Sequence, residues 1–163
     1  MRRDVRLVTT VPVPRERVWE ALATREALGR WLMPTDFEPI VGRAFTFRMR
    51  PQRGWDGITH CEVTELVPGT RLAFWYRGRA RGDKAIACAG VESEPVRALG
   101  RGLFAELDTV LRLRLEDAPG GTRVILEHLG FEGCKLVLVS FVMEAGWRKI
   151  LRTRFRDELA GRR

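Results

Sequence analysis

The chain has 163 residues, of which 45% are hydrophobic and 31% charged, and its formal net charge at pH 7 is +8. A chain of this length is typical of one domain, and its apolar fraction excludes general disorder. Its longest nearly unbroken apolar stretch, Leu136 to Met143, is far shorter than the about 20 residues of a membrane-spanning helix. No apolar segment near the amino terminus is long enough for a secretion signal. We therefore expect a single cytoplasmic domain, residues 1–163, without membrane insertion.

The first half of the chain predicts a strand, a helical region and then several short strands. Asp4 to Val11 alternates loosely and is rich in β-branched residues, which is typical of a strand. Pro14 suits a first helical turn, and apolar residues then recur near helical spacing as far as Trp31. After Gly42, apolar and polar residues alternate as in strands. The strands predicted there cover residues 45–49, 58–67 and 72–76.

The second half predicts a β-hairpin and a long helix. Thr109 to Glu116 and Thr122 to Leu129 alternate clearly, and Pro119-Gly120-Gly121 between them predicts a three-residue turn. From Lys135 to Leu159 apolar residues recur at steps of three and four. Such an amphipathic helix is long enough to lie across a whole sheet. The order of elements is that of an α+β fold with an antiparallel sheet.

An insertion interrupts this pattern at about 78–107, where the sequence is rich in Gly, Arg and Ala. It is too long for a simple hairpin loop. Two interpretations remain open, a short helix around Pro95 to Leu99 and a mobile flap.

Five stretches of the sequence follow, in order, the pattern of a known family. They are VPVPRERVWEALATREALGRWL, FEPIVGRAFTFRMRP, GWDGITHCEVTELVPGTRLAFWYRG, LDTVLRLRLEDAPGGTRVILEHLGF and the pair Gly146-Trp147. With these, the chain resembles the START-like or SRPBCC superfamily, which includes the birch pollen allergen. Within it, the chain is most similar to proteins related to the activator of the heat-shock-protein-90 ATPase. The insertion at 78–107 departs from the family pattern.

This resemblance implies a helix-grip fold, in which a curved antiparallel β-sheet wraps around a long carboxy-terminal α-helix. The space between sheet and helix tapers and is hard to fill with side chains alone, so we expect a cavity there. The resemblance implies little about chemistry, because the superfamily carries transport, enzyme and cochaperone roles on one scaffold.

The cysteines and histidines do not form a metal-binding pattern. Cys61, Cys88 and Cys134 are widely spaced, form no CxxC pair and have only two histidines to assist them. A zinc site or a disulfide framework is therefore not expected, and the thiols are interpreted as buried or inert. No phosphate-binding loop or nucleophile motif occurs either. We expect no metal and no cofactor.

Two stretches account for the positive charge. Residues 77–84 contribute +3 and residues 148–163 contribute +5, so the rest of the chain is neutral. Such a basic surface suits nucleic acid, a phosphate group or an acidic protein partner, or is simply a solvated helix face with a loop. Nucleic acid is disfavoured, because no helix-turn-helix, zinc finger or RNP motif accompanies the charge.

His128 is the one candidate for a catalytic residue. Its place in the alternation puts it with Val124 and Leu126, on the face that is expected to meet the long helix. A neutral imidazole there is suited to bind a ligand carbonyl or to act as a base, and equally to serve as a structural residue bonded to a neighbouring strand. His60 has no nearby nucleophile and is interpreted as a surface residue.

Large apolar side chains are the other candidates for a binding site. The residues predicted to line an apolar pocket, His128 included, are Trp31, Phe47, Trp55, Trp75, Leu111, Leu126, His128, Phe131, Met143 and Trp147.

Three functions follow from these observations. The first is a binding protein for an apolar small molecule, lipid-like or polyketide-like, held between the sheet and the last helix. The second is an enzyme of the cyclase or hydratase type with His128 as its base. The third is a chaperone-associated protein that meets an acidic partner through its basic surface. The first is favoured, and the oligomeric state is left open.

Overall fold

A computed structural model describes residues 1–51, 55–79 and 104–161 of the chain. In this part, six strands form one antiparallel sheet in the order β1-β6-β5-β4-β3-β2. The strands are β1 Arg2–Val11, β2 Ala44–Arg48, β3 Ile58–Val67, β4 Arg71–Arg77, β5 Asp108–Ala118 and β6 Gly121–Glu132. The strands predicted from the alternation are all present, most of them longer by a few residues.

The helices lie on one side of this curved sheet, which we call its inner face. They are α1 Arg15–Ala23, α2 Arg25–Trp31, a short 3-10 helix Phe104–Glu106, α3 Gly133–Arg152 and α4 Arg154–Leu159. The long helix α3 packs against β1 and β6, and α1 packs against β5 and β6. The α+β helix-grip fold expected from the sequence is confirmed.

Each of the two predicted helical regions is divided at a threonine. Thr24 separates α1 from α2 and its hydroxyl donates to the carbonyl of Glu20 at 2.9 Å. Thr153 separates α3 from α4 and donates to the carbonyl of Lys149, also at 2.9 Å. Such bonds from a threonine hydroxyl to the carbonyl one turn earlier compete with the helical ladder, and the apolar spacing alone does not indicate them.

The hairpin between β5 and β6 turns more tightly than predicted. Gly121 already pairs with Ala118, so only Pro119 and Gly120 remain in the turn. Gly120 has a φ of +75°, a conformation that costs glycine little. The predicted three-residue turn is therefore wrong by one residue.

The buried apolar side chains of the described residues form one continuous core between the inner face and the helices. An ion pair holds α4 against α2, since Arg30 donates to both carboxylate oxygens of the buried Glu158 at 2.8 and 2.6 Å. Cys88 and the helix or flap considered for Pro95 to Leu99 lie outside the described residues.

Candidate functional site

His128 lies on the inner face of β6, opposite Leu111 of β5 and Val5 of β1, and its exposed fraction is 0%. This is the face that strand parity predicted. Its ring is 4.6 Å from that of Phe131 and 6.1 Å from that of Trp147, centre to centre, in edge-on arrangements. The residue is thus enclosed by aromatic rings, as edge-to-face packing favours.

A chain of hydrogen bonds that spans three elements fixes the imidazole. The indole nitrogen of Trp147 donates to Nδ1 of His128 at 3.1 Å. Because an indole N–H only donates, Nδ1 is the unprotonated nitrogen and Nε2 carries the proton. Nε2 donates to Oγ1 of Thr109 at 2.8 Å, and this hydroxyl donates to the backbone carbonyl of Tyr76, also at 2.8 Å. Every proton in this chain of bonds has an acceptor.

Burial keeps His128 neutral. It lowers the pKa of the imidazole from 6.5 to about 3, because the charged form loses its hydration. Both ring nitrogens are occupied, so no lone pair faces a space in which a substrate could react. A general base needs such a lone pair within hydrogen-bond reach of its proton. The geometry therefore supports the structural interpretation of His128 rather than the catalytic one.

A row of aromatic rings continues from His128 across the inner face. Tyr76 of β4 lies edge-on to His128 at 5.1 Å, and Phe47 of β2 lies 6.4 Å from Tyr76. Phe45 and Phe74 complete the row, with their rings 5.2 Å apart. All of these side chains are almost fully buried. We call them, together with Phe131 and Trp147, the aromatic row.

The aromatic row contains few polar atoms, and those are bonded. The hydroxyl of Tyr76 is fully buried, which raises its pKa, and it forms a hydrogen bond with Thr59. Burial likewise raises the pKa of the Cys61 thiol far above its ordinary value, which makes it unreactive. The inner face is thus an apolar surface whose polar groups are satisfied within the protein.

Most of the residues predicted to line a pocket come together here. Six of them are buried on the inner face or on α3 and contact the core, and Met143 is half-buried against the same core. The six are Phe47, Leu111, Leu126, His128, Phe131 and Trp147.

The other three predicted pocket residues lie elsewhere. Trp31 packs on Phe155 of α4, with ring centres 4.8 Å apart. Trp55 donates to the carbonyls of Ile58 and Gly78 at one end of the sheet. Trp75 lies on the outer face of β4, because it alternates with Phe74 and Tyr76, and the guanidinium of Arg77 lies 4.4 Å over its ring.

Sequence reasoning missed two groups that complete the arrangement, Thr109 and the backbone carbonyl of Tyr76. The sequence contains only part of the information needed to find these two groups. Thr109 has the same strand parity as Leu111, which placed it on the inner face, but no pattern in the sequence shows that β4 brings a carbonyl to its hydroxyl. That contact depends on the register between β4 and β5, where Tyr76 pairs with Thr109.

Helix α3 covers this face unevenly. Its carboxy-terminal half places Trp147 and Leu151 in the core, and α4 adds Phe155 and Leu159. Of the residues from Gly133 to Met143, only Val139 and Ser140 are buried. Leu136 and Met143 are half-buried and pack against the core. The helix is therefore anchored at its carboxy-terminal end and packed loosely at its amino-terminal end.

One side chain from β1 ties the loosely packed half to the sheet. Arg3 donates to Oγ of Ser140 at 2.9 Å and to a carboxylate oxygen of Glu144, and its guanidinium lies 4.0 Å over the ring of Phe141. Hydrogen bonds from Arg3 and then from Arg148 lower the pKa of Glu144. These contacts of Arg3 lie at the side of α3.

Two clefts open along the sheet. One, of about 330 Å³, is lined by Asp36, Thr46, His60 and Glu62. The other, of about 450 Å³, is lined by Trp75, by Leu136 of α3 and by residues of β1, β5 and β6. His60 is half-buried at the first cleft, so its interpretation as a surface residue agrees with its position.

The residues that the structure describes contain neither a metal-binding cluster nor a membrane-spanning helix. Within residues 1–51, 55–79 and 104–161, no group of three or more His, Cys, Asp or Glu side chains is placed to hold a metal ion. In that part of the chain, no helix has both the length and the apolar character to cross a membrane. Cys61 is buried and Cys134 is exposed, and both are free thiols.

Comparison with known proteins supports the fold. The family model described as Activator of Hsp90 ATPase homolog 1-like protein matches residues 12–160. A solved structure from Mesorhizobium loti is 23% identical with a TM-score of 0.74, and the alignment covers 97% of each chain. The Aha1 dimer from Colwellia psychrerythraea is 16% identical with a TM-score of 0.66, over 96% of each chain.

A third structure comes from the dynemicin biosynthetic locus. This protein, DynU16, is 19% identical with a TM-score of 0.64, and the alignment covers 96% of this chain and 47% of that one. Comparison with curated proteins finds no match.

Proposed function

Because this chain belongs to the family of Activator of Hsp90 ATPase homolog 1-like proteins, we propose that it uses the helix-grip scaffold to bind an apolar small molecule. The ligand lies between the aromatic row and the amino-terminal half of α3, within a single domain of residues 1–163. The ligand is lipid-like or polyketide-like, and the protein acts by binding it rather than by converting it.

The observation that carries this proposal is the uneven packing of α3. Leu136 and Met143 point toward the core yet are only half-buried, while the aromatic side chains on the sheet beneath are almost fully buried. A ligand placed against Leu136 and Met143 removes the exposed apolar surface of these two side chains, and its own apolar surface, from water. Such burial stabilises by about 25 cal/mol per Å² of apolar surface.

The polar groups of the inner face indicate the chemistry of the ligand. Trp147, His128 and Thr109 already use their hydrogen-bonding atoms on one another and on a backbone carbonyl. A ligand that competed for these atoms would leave a buried group without a partner, which costs about 1–3 kcal/mol. We therefore infer a ligand whose buried part is apolar and rich in flat rings or alkyl groups.

The same bonds argue against turnover. The cyclase or hydratase alternative requires His128 to accept a proton from a substrate, but its Nδ1 accepts from Trp147 and its Nε2 donates to Thr109. The third alternative, an acidic protein partner for the basic surface, stays a prediction.

A fluorescent apolar probe tests the binding proposal. N-phenyl-1-naphthylamine should bind the purified protein saturably, with enhanced emission, and should raise its melting temperature, because a ligand of the native state stabilises it by mass action. Mass spectrometry of the natively purified protein should also detect a copurified apolar molecule.

Two matched variants on α3 locate the site. Met143→Trp enlarges a side chain on the inner side of the helix, whereas Leu138→Trp makes a similar enlargement on the outer side, where Leu138 is 51% exposed. We expect the probe's affinity to fall by at least about tenfold in Met143→Trp and to be unchanged in Leu138→Trp. Equal effects of the two substitutions, or no binding across a panel of lipids and aromatic polyketides, would contradict the proposal.

A further inference from the structure

The side of α3 that faces away from the sheet is apolar in its amino-terminal half. Leu138 is 51% exposed, Phe141 is 54% exposed and Val142 is 63% exposed. Residues three and four apart are neighbours on a helix surface, so the three side chains form one continuous patch, at whose edge the guanidinium of Arg3 lies over the Phe141 ring. Single exposed apolar residues need no explanation, but a contiguous patch indicates a contact surface.

The same side of the helix is cationic at both ends. Lys135, which lies 4.0 Å from a carboxylate oxygen of Glu106, precedes the patch. Lys149 and Arg152 follow it, one and two turns beyond Ala145. All three are exposed. Among the described residues, neither Lys149 nor Arg152 takes part in an ion pair. We call Leu138, Phe141, Val142, Lys149 and Arg152 the outer stripe.

No carboxylate of α3 offsets this charge. Glu144 is the one acidic residue of the helix, and it is held from two sides by Arg3 and Arg148. Within the described part of the chain, the outer stripe therefore combines apolar side chains with cations that form no ion pair, and a partner that is both apolar and anionic complements it.

A second copy of this chain does not meet that requirement. Two copies packed through the same stripe would bring Lys135, Lys149 and Arg152 of each against the same cations of the other, which like-charge repulsion opposes. A stable protein interface also needs about 800 Å² from each partner, and the apolar part of the stripe consists of three side chains. A bilayer has no such minimum, because small apolar insertions and cation contacts simply add.

We propose that the outer stripe docks α3 on the surface of an anionic lipid bilayer. The helix lies in the plane of the interface, with Leu138 and Val142 among the acyl chains and Phe141 at their edge, where the guanidinium of Arg3 covers one side of its ring. Lys149 and Arg152 reach the lipid phosphates with their flexible stems. This docking does not depend on the ligand proposed above, and it uses the opposite side of the helix.

Vesicle sedimentation of the full chain tests the proposal. The protein should bind vesicles of phosphatidylcholine with phosphatidylglycerol and should bind phosphatidylcholine alone at least about tenfold more weakly, with the difference reduced by salt. Leu138→Ser with Val142→Ser should lower the affinity for anionic vesicles by at least about tenfold. Lys149→Gln with Arg152→Gln should do the same.

Two double substitutions elsewhere on the surface, each matched to one of the variants of the outer stripe, serve as controls. Val8 and Val41 are 49% and 58% exposed, so Val8→Ser with Val41→Ser removes similar apolar exposure from other elements. Arg6→Gln with Arg43→Gln lowers the net charge by the same amount as the α3 pair. These controls should bind anionic vesicles like the wild type, and thermal melting of each variant verifies that it is folded.

Four results would overturn the proposal. The first is equal binding to anionic and neutral vesicles, or to neither. The second is an equal loss of binding in the stripe variants and in their controls. The third is a dimer that forms as the protein concentration rises and that Leu138→Ser with Val142→Ser abolishes. Such a dimer would assign the outer stripe to a second copy of the chain. The fourth is an affinity for polyglutamate that equals the affinity for anionic vesicles and is unchanged in Leu138→Ser with Val142→Ser, because a bilayer would then not be needed.

Discussion

His128 owes its role to contacts with the neighbouring strand β5 and with the long helix α3. Its ring is neutral because it is buried, and it is tolerated in the core because Trp147 and Thr109 satisfy both nitrogens. A buried polar group without such partners would destabilise the fold by several kcal/mol. The residue therefore specifies how α3 meets the sheet, and its protonation opposes folding.

The stability of the protein should depend on pH through this residue. The pKa of His128 is about 3 in the folded protein and 6.5 as its ordinary value. Above pH 6.5 both states are neutral and the group has no effect. As the pH falls from 6.5 toward 3, only the unfolded state takes up the proton, so the free energy of unfolding drops by about 1.4 kcal/mol per pH unit.

Urea denaturation of His128→Gln beside the wild type isolates this effect. Glutamine keeps one acceptor for Trp147 and donors for Thr109 but does not titrate. Below pH 6.5 the variant should lose stability less steeply than the wild type, and contributions from carboxylates cancel in the comparison. Parallel curves for the two proteins between pH 6.5 and 4.5 would show that His128 is accessible to protons in the folded state.

At the scale of secondary structure, the sequence predicted the elements better than their ends and contacts. Alternation placed Leu111, Leu126 and His128 on one face, because strand parity is a local property. It did not indicate the breaks at Thr24 and Thr153, where a side-chain hydrogen bond competes with a regular helix.

The candidate site was predictable only in part, because contacts between distant segments also decide where its residues lie. Trp31, Trp55 and Trp75 were grouped with the pocket by residue type, yet the first packs on α4, the second on the sheet end and the third lies outside. The residue type says that an indole is large and apolar, while its position follows from parity and from pairing across distant segments. Trp75 alternates with Phe74 and Tyr76, so its outer position was available from the sequence.

Adding one methyl group in the middle of α3, at Gly146, should stabilise the protein. Gly146 lies within the helix, and a Cβ built there meets nothing within 4 Å. Gly146→Ala should raise the free energy of unfolding by about 0.5–1 kcal/mol, since glycine loses more backbone entropy in a helix than alanine. Chemical denaturation at neutral pH measures the change.

Gly121 provides the opposite case for comparison. A Cβ there would lie 1.9 Å from the carbonyl oxygen of Val11, so Gly121→Ala must displace the end of β1 from the hairpin. We expect a loss of about 2 kcal/mol, as for other overpacked positions. A stabilised Gly121→Ala or a destabilised Gly146→Ala would show that the contacts around α3 and β1 differ from those described.

The two halves of α3 should differ in how often they open. Amides from Val137 to Met143 cover few buried side chains, while those from Trp147 to Leu151 lie over the core. Local opening follows such differences in packing. Amide hydrogen exchange should be at least about tenfold faster in the first group, and bound probe should slow that group selectively. Uniform protection along the helix would contradict the uneven anchoring.

At the scale of the whole molecule, the charges of the outer sheet face are largely paired. Arg6 and Arg112 both approach Glu127, and Arg77 binds Asp108 at 2.8 Å. Exposed pairs of this kind contribute about 0–1 kcal/mol each. The net positive charge is instead concentrated in residues 77–84 and 148–163.

Removing two of those cations should barely affect folding. Arg152 and Arg156 are exposed, and the contacts of Arg156 with Thr9 and Thr10 are long, at 3.4 and 3.5 Å. Arg152→Gln with Arg156→Gln should cost less than about 1 kcal/mol in urea denaturation. A larger loss would mean that these side chains hold the carboxy-terminal helices to β1. Salt-sensitive, micromolar binding of nucleic acid that this double variant loses would revive the nucleic-acid interpretation.

The bond from Trp147 to His128 has a spectroscopic consequence. The indole proton points at a nitrogen lone pair inside the core, so in a proton NMR spectrum its resonance should be well separated from those of exposed indoles. A ligand that lifts α3 from the sheet lengthens this bond and shifts the resonance, whereas a molecule on the outer side of the helix leaves it in place. One natural proton thus distinguishes, without any label, which side of the helix a molecule has approached.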